Sequence, residues 1–94
     1  MNISIDAFLK ICNNVNIIDI RSKQKYNDNH IPNSINIDKN EIISNPNKYL
    51  NRNEVYYIYC QKGTSSTRIC QILRNKGYKV CNILGGYEEW ILRK

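Results

Sequence analysis

Short apolar runs alternate with helical patterns along the chain. Ser4 stands as an N-cap before a first helix over Ile5 to about Cys12, in which Ile5, Phe8, Leu9 and Cys12 share one face. Asn16–Ile20 and Ser34–Ile37 read as short Ile-rich strands. Residues 40–50 carry a weak helical pattern broken by Pro46, which predicts two short helical turns. Val55–Tyr59 is β-branched and aromatic without interruption, the pattern of a central strand covered on both faces. The segment Cys60–Ser66 follows as a loop, then a helix from about Thr67 to Lys76 with Ile69, Ile72 and Leu73 at helical spacing and Gly77 at its C′ position. Tyr78–Ile83 is a further strand, Gly85–Gly86 a turn, and Tyr87–Leu92 a closing helix that turns Tyr87, Trp90 and Ile91 inward. Strands alternating with helices predict an α/β fold, one domain over residues 1–94, with a mostly parallel central sheet flanked by helices on both faces.

Composition narrows the class. Ninety-four residues bury enough surface for one core and not two, and 41% hydrophobic content belongs to a folded chain. No apolar run approaches the ~20 residues of a membrane span, and no basic segment precedes an apolar stretch at the N-terminus. A cytoplasmic, monomeric protein with no membrane partner is the expectation. The formal charge of +6 favours anionic ligands. The basic residues are scattered, with no run of five, so nucleic acid is not an expected partner. Tyr56, Tyr57 and Tyr59 do not form a stacking platform either, because successive strand residues face opposite sides.

Cysteines stand at 12, 60, 70 and 81, without a Cys-x-x-Cys pair and with a single histidine in the chain. Neither a metal site nor a disulfide framework is predicted, and no cofactor is implied. Cys12, Cys70 and Cys81 fall in apolar patterns and read as core residues.

Cys60 differs. It lies at the C-terminal end of the predicted central strand, before a tight loop and a helix, where open α/β sheets bind ligands. Gln61, Lys62, Gly63, Thr64, Ser65 and Ser66 form a loop of small and hydroxylic residues whose backbone can curl and aim several N–H groups at one point, making an anion site. The same concavity stabilises a thiolate, and cysteines in such settings fall from about 8.5 to roughly 3.5–7.5. Cys60 therefore has the surroundings of a nucleophile, with Lys62 two residues away. The alternative is a buried strand-end thiol beside an ordinary connection.

Four segments together resemble the single-domain rhodaneses, sulfurtransferases of the persulfide-forming kind. Ile17–Arg21 with Tyr26 resembles the family's strand, Asp-x-Arg and aromatic. His30-Ile31-Pro32-Asn33-Ser34-Ile35-Asn36 resembles its Gly-His-Ile-Pro-Gly-Ala-x-Asn signature. Tyr57–Ser66 resembles the active-site strand and loop, and Leu84-Gly85-Gly86 with Trp90 the C-terminal Gly-Gly…Trp. The resemblance implies that Cys60 takes the outer sulfur of a small anionic donor such as thiosulfate. It then passes that sulfur from a persulfide to cyanide, a thiol or a protein cysteine, by ping-pong kinetics. Gln61–Ser66 would hold the persulfide charge. Lys62 and Lys25 match positions that favour a dianionic donor. Asp19 and Arg21 pair with each other or brace the loop, and Arg21 also stands as a substrate contact. His30 reads as a turn histidine, and Tyr87 and Trp90 as core.

The chain departs from the pattern at three places. Ser65 replaces a frequent arginine, a change related members also show, and Asn29 and Asn33 replace glycines at turns where Asn tolerates positive φ. Two rival readings remain. A persulfide carrier or protein-interaction module in a sulfur relay differs mainly in its acceptor. A cysteine phosphatase would need an arginine where Ser66 stands, and Arg68 comes two residues late.

Overall fold

The computed structural model describes residues 1–94. Its five strands are β1 (Asn2–Ile3), β2 (Asn16–Asp19), β3 (Ser34–Asn36), β4 (Val55–Tyr59) and β5 (Lys79–Ile83). All pair in parallel in the order β1-β5-β4-β2-β3. The helices are α1 (Ile5–Leu9), α2 (Lys23–Asp28), α3 (Lys39–Ser44), α4 (Pro46–Tyr49), α5 (Thr64–Asn75) and α6 (Gly86–Arg93). No helix is long and apolar enough to cross a membrane.

Strand alternation divides the core into two layers. Ile18, Tyr56, Ile58 and Val80 point to one face, where Ile42 of α3 and Ile69, Cys70 and Leu73 of α5 cover them. Ile17, Tyr59 and Ile83 point to the other, against Ile5 and Phe8 of α1 and Tyr87 and Trp90 of α6. The mostly parallel sheet with helices on both faces is thus as the pattern predicts, and β4 lies at its centre.

Several boundaries differ. The first helix stops at Leu9 and gives way to a 3-10 turn over Cys12–Asn14, which leaves Cys12 half-buried rather than in the core. Ile91 is 45% exposed, so α6 buries Tyr87 and Trp90 but not Ile91. The helix after β4 begins at Thr64, three residues before the predicted start, with Gly63 as its N-cap at φ +95°. Asn33 adopts φ +72°, whereas Asn29 is extended at φ −172° and needs no special tolerance. Pro46 opens α4 at its first turn, where its missing N–H costs nothing, giving the two short helices expected there.

The topology places a crevice. From β2 the chain moves outward to β3 on one side; from β4 it moves outward to β5 on the other. The segments leaving the C-terminal ends of β2 and β4 therefore diverge, and side chains from both line the gap between them.

Candidate active site

Cys60 directly follows β4, and the six residues after it wrap around its sulfur. The backbone N–H groups of Gly63 and Ser66 donate to Cys60 Sγ at 3.1 and 3.3 Å. The amides of Gln61, Lys62, Thr64 and Ser65 have no acceptor within the chain. Four unpaired donors thus remain in the loop that follows Cys60, at the N-terminal end of a 12-residue helix, where partial positive charge collects. Gly63 makes the curl possible. Its left-handed φ suits glycine, and a Cβ there would lie 3.0 Å from the backbone nitrogen of Gly85.

The glycine pair Gly85–Gly86 holds the loop from behind. The N–H groups of Tyr87 and Glu88, in the first turn of α6, donate to the carbonyls of Cys60 and Gln61 at 2.9 and 3.0 Å. Gly86 permits that approach, since a Cβ on it would press into the Cys60 carbonyl and lie 2.9 Å from that of Gln61.

The third support comes from the end of β2. Arg21 Nε and Nη2 donate to Asp19 Oδ2 at 3.0 and 2.8 Å, Nη2 also donates to the Asn29 carbonyl, and Nη1 reaches Gln61 Oε1 at 3.2 Å. The guanidinium lies 4.1 Å from the centre of the Tyr87 ring. Burial works against its charge, but the Asp19 carboxylate outweighs burial and holds Arg21 above its ordinary value. Tyr59 adds its hydroxyl to Asp19 Oδ2 at 2.6 Å and accepts from the Ile31 N–H at 3.1 Å. Burial, then the Asp19 carboxylate, raises Tyr59, so its phenol stays protonated. The Asn36 amide completes the corner by donating to the carbonyls of Asp19 and Arg21. His30 lies outside this set, its Nδ1 on the Tyr26 carbonyl and its ring stacked on Tyr26 at 3.8 Å.

Cys60 opens into a cleft of about 300 Å³ whose polar lining includes Arg21, Ser22, Lys25, Asp38, Lys39 and Ser65. A neighbouring mouth of about 250 Å³ is lined by Lys25, Lys62, Thr64 and Ser65 beside Cys60 and Gln61. The predicted residues are therefore brought together in one place, with different roles in the geometry. Arg21 spends its donors bracing Gln61 and Asp19, while Lys25 and Lys62 stand at the openings. Ser66 is fully buried and faces the sulfur from within the protein. Asp38 and Lys39 are additions that no motif marked; Asp38 caps α3 through the Asn40 and Glu41 amides. Asn82 is a third, 1% exposed on β5, with its amide between Ser66 and Thr67. A polar residue within the apolar run Val80–Ile83 was its only signal in the sequence.

The arrangement suits a nucleophilic sulfur that carries or generates negative charge, under a cationic opening. Comparison with known proteins agrees in kind. The sequence matches the family described as Rhodanese-like domain over residues 4–93. It is 32% identical over 92 residues to the "Putative sulfur carrier protein YrkF" of Bacillus subtilis (strain 168), covering 94% of this chain and 49% of that protein. The chain thus spans about half the length of that relative. Identity is 29% over 75 residues to the thiosulfate sulfurtransferase GlpE of Coxiella burnetii (strain RSA 331 / Henzerling II), covering 79% of this chain and 69% of that one. The crystal structure of a rhodanese-like domain protein from Staphylococcus aureus superposes with a TM-score of 0.86 at 31% identity, over 96% of this chain and 91% of that chain.

Proposed function

Because the chain belongs to the rhodanese-like domain family, we propose that it is a sulfurtransferase in which Cys60 takes up a sulfane sulfur and passes it on. The observation that carries the reading is the cradle itself: two backbone amides on Cys60 Sγ, and four more with no acceptor in the chain. The Cys60 thiolate attacks the outer sulfur of a donor such as thiosulfate. The new Sγ–S bond forms as the donor's S–S bond breaks, and sulfite departs with the electron pair. The persulfide's terminal charge rests on the amides of Gln61–Ser66, with the Thr64 and Ser65 hydroxyls as further donors. An incoming nucleophile (cyanide, a thiol or a protein cysteine) then bonds to the outer sulfur and returns the electron pair to Cys60. Two half-reactions at one sulfur give ping-pong kinetics. Lys25 and Lys62 attract the dianion to the opening, and Arg21 fixes Gln61. The likeness to GlpE supports thiosulfate as donor.

The likeness to YrkF favours a second reading of the same chemistry, in which the Cys60 persulfide is a station in a relay and its acceptor is a protein.

Intact-protein mass spectrometry after brief exposure to thiosulfate tests the proposal, with Cys60→Ser as control. A gain of one sulfur atom on the native chain alone is expected. No gain in folded protein rejects thiosulfate. If other persulfide donors also fail to load Cys60, the sulfurtransferase reading falls.

A further inference from the structure

Behind Cys60 the chain closes a ring of hydrogen bonds, buried at Ser66 and Asn82 and part-buried at Thr67. Ser66 Oγ lies 3.3 Å from Cys60 Sγ, 3.3 Å from the Gly63 carbonyl and 2.5 Å from Asn82 Oδ1. A hydroxyl has one hydrogen to give, so these three neighbours compete for it. The Gly63 carbonyl is already served by the Thr67 hydroxyl at 2.7 Å and the Thr67 N–H at 3.3 Å. Since Thr67 spends its hydrogen there, its oxygen accepts from Asn82 Nδ2 at 3.0 Å. That contact fixes which way the amide points, with Oδ1 toward Ser66. The Ser66 hydrogen therefore goes to Asn82, and a lone pair of Ser66 Oγ faces the sulfur. The Gly63 N–H closes the circuit on Sγ.

We propose that Asn82 is a positioning residue for Cys60: by holding the hydrogen of the Ser66 hydroxyl it withholds a third donor from the sulfur and keeps the thiolate strongly nucleophilic. The inference rests on Cys60 being the nucleophile. In the thiol form the circuit is complete, because S–H donates to Ser66 Oγ. In the thiolate form Ser66 can turn toward sulfur only by leaving Asn82 Oδ1 unpaired in a nearly solvent-free site, which costs as much as the turn gains. The thiolate thus keeps two amide donors and draws no net stabilisation from the hydroxyl. Nucleophilicity falls with basicity along a slope of about 0.4–0.5, so a thiolate with fewer donors attacks faster. After attack, Sγ is bonded to the transferred sulfur, carries no charge and needs no donor from Ser66. The ring can then persist unchanged.

The test is the pH profile of iodoacetamide alkylation at Cys60, read by mass on the Cys60 peptide, in the native chain, Asn82→Ala, Ser66→Ala and the double variant. Freed of Asn82, the Ser66 hydroxyl turns to the thiolate. In Asn82→Ala the midpoint is expected to move down by about half to one pH unit. The alkaline plateau is expected to fall about twofold. In the Ser66→Ala background, adding Asn82→Ala moves neither quantity. An unchanged profile in Asn82→Ala overturns the proposal, and so does an equal shift in both backgrounds, which would mark a merely structural role. Should Asn82→Ala fail to fold, Thr67→Val decides. It removes the contact that orients the amide, and the same downward shift is expected; an unchanged profile overturns the proposal. The other titratable groups facing Cys60 are Arg21, Lys25, Asp38 and Lys39 around the cleft, Lys62 at the second mouth and the Cys70 thiol on α5, all unaltered in these variants. Alkylation needs no sulfur donor, so its result stands or falls apart from sulfur transfer.

Discussion

The N–H of Tyr87 donates to the carbonyl of Cys60 at 2.9 Å, joining the last helix to the residue that bears the thiol. The loop is therefore held from two sides, by its own helix α5 and by α6. Gly86, with φ +62°, is the residue that lets α6 come so close. Gly86→Ala forces the loop and α6 apart and adds the strain of a left-handed alanine, about 1–2 kcal/mol before any displacement. We expect lower thermal stability and a larger loss of persulfide formation. Loading by thiosulfate and a thermal melt on the same sample check this, and native loading would show that the α6 contact is dispensable.

Asp19 and Arg21 form an ion pair at 2.8 Å with side chains 0% and 4% exposed. Removing one member strands the other. Asp19→Asn leaves the Arg21 charge buried without its counterion and should cost about 3 kcal/mol, with Gln61 losing its fixed partner. Urea unfolding gives the stability, and a change below about 1 kcal/mol would show that Asn29 and Tyr87 suffice to hold Arg21.

Burial holds the Cys70 thiol up at about 12 against an ordinary 9, and raises Cys81 in the same direction. Both thiols stay neutral in the folded chain and ionise more readily when it unfolds. Their contribution is whole below about pH 9 and shrinks above it, because the unfolded chain then binds fewer protons. Urea midpoints should fall steadily between pH 9 and 11. Cys70→Ala should fall less steeply over that range, whatever its stability at neutral pH. Parallel slopes would remove Cys70 as a cause.

Lys62 is exposed at the second mouth beside Lys25. Lys62→Ala should raise KM for thiosulfate by about two- to fivefold, the scale of one screened charge. A neutral persulfide donor should be affected less. Steady-state kinetics with both donors decide it, and equal effects would mean the lysine does not recognise the dianion.

Much of the fold was legible because its signals are local. The run Val55–Tyr59 carries its own strand pattern, and Pro46 marks the break between α3 and α4. The unpredicted elements lack such signals. Helix α2 has no buried residue, so no apolar period betrays it, and Ser22 capping the Lys25 amide is what starts it. Strand β1 is two residues long and exists only by pairing with β5. Thr64–Ser66 read as loop from their small polar side chains, yet Gly63 turns the chain into helix at once. In the site, Cys60 and its loop were visible as a motif. Asp38, Lys39 and Asn82 were not, since only tertiary packing brings the first two to the cleft and the third to Ser66.

Strand β1 has a consequence for assembly. Asn2–Ile3 lie along Asn82–Ile83, so the two segments that meet come from opposite ends of the sequence. Closing so long a loop is slow, and sheets built from distant partners fold later than local helices. Strand β5 gains its second neighbour only in that step, and Asn82 stands on it. Asn82 also pairs with Ile58 of β4, so β1 seals the outer edge of the strand on which the partner of Ser66 stands.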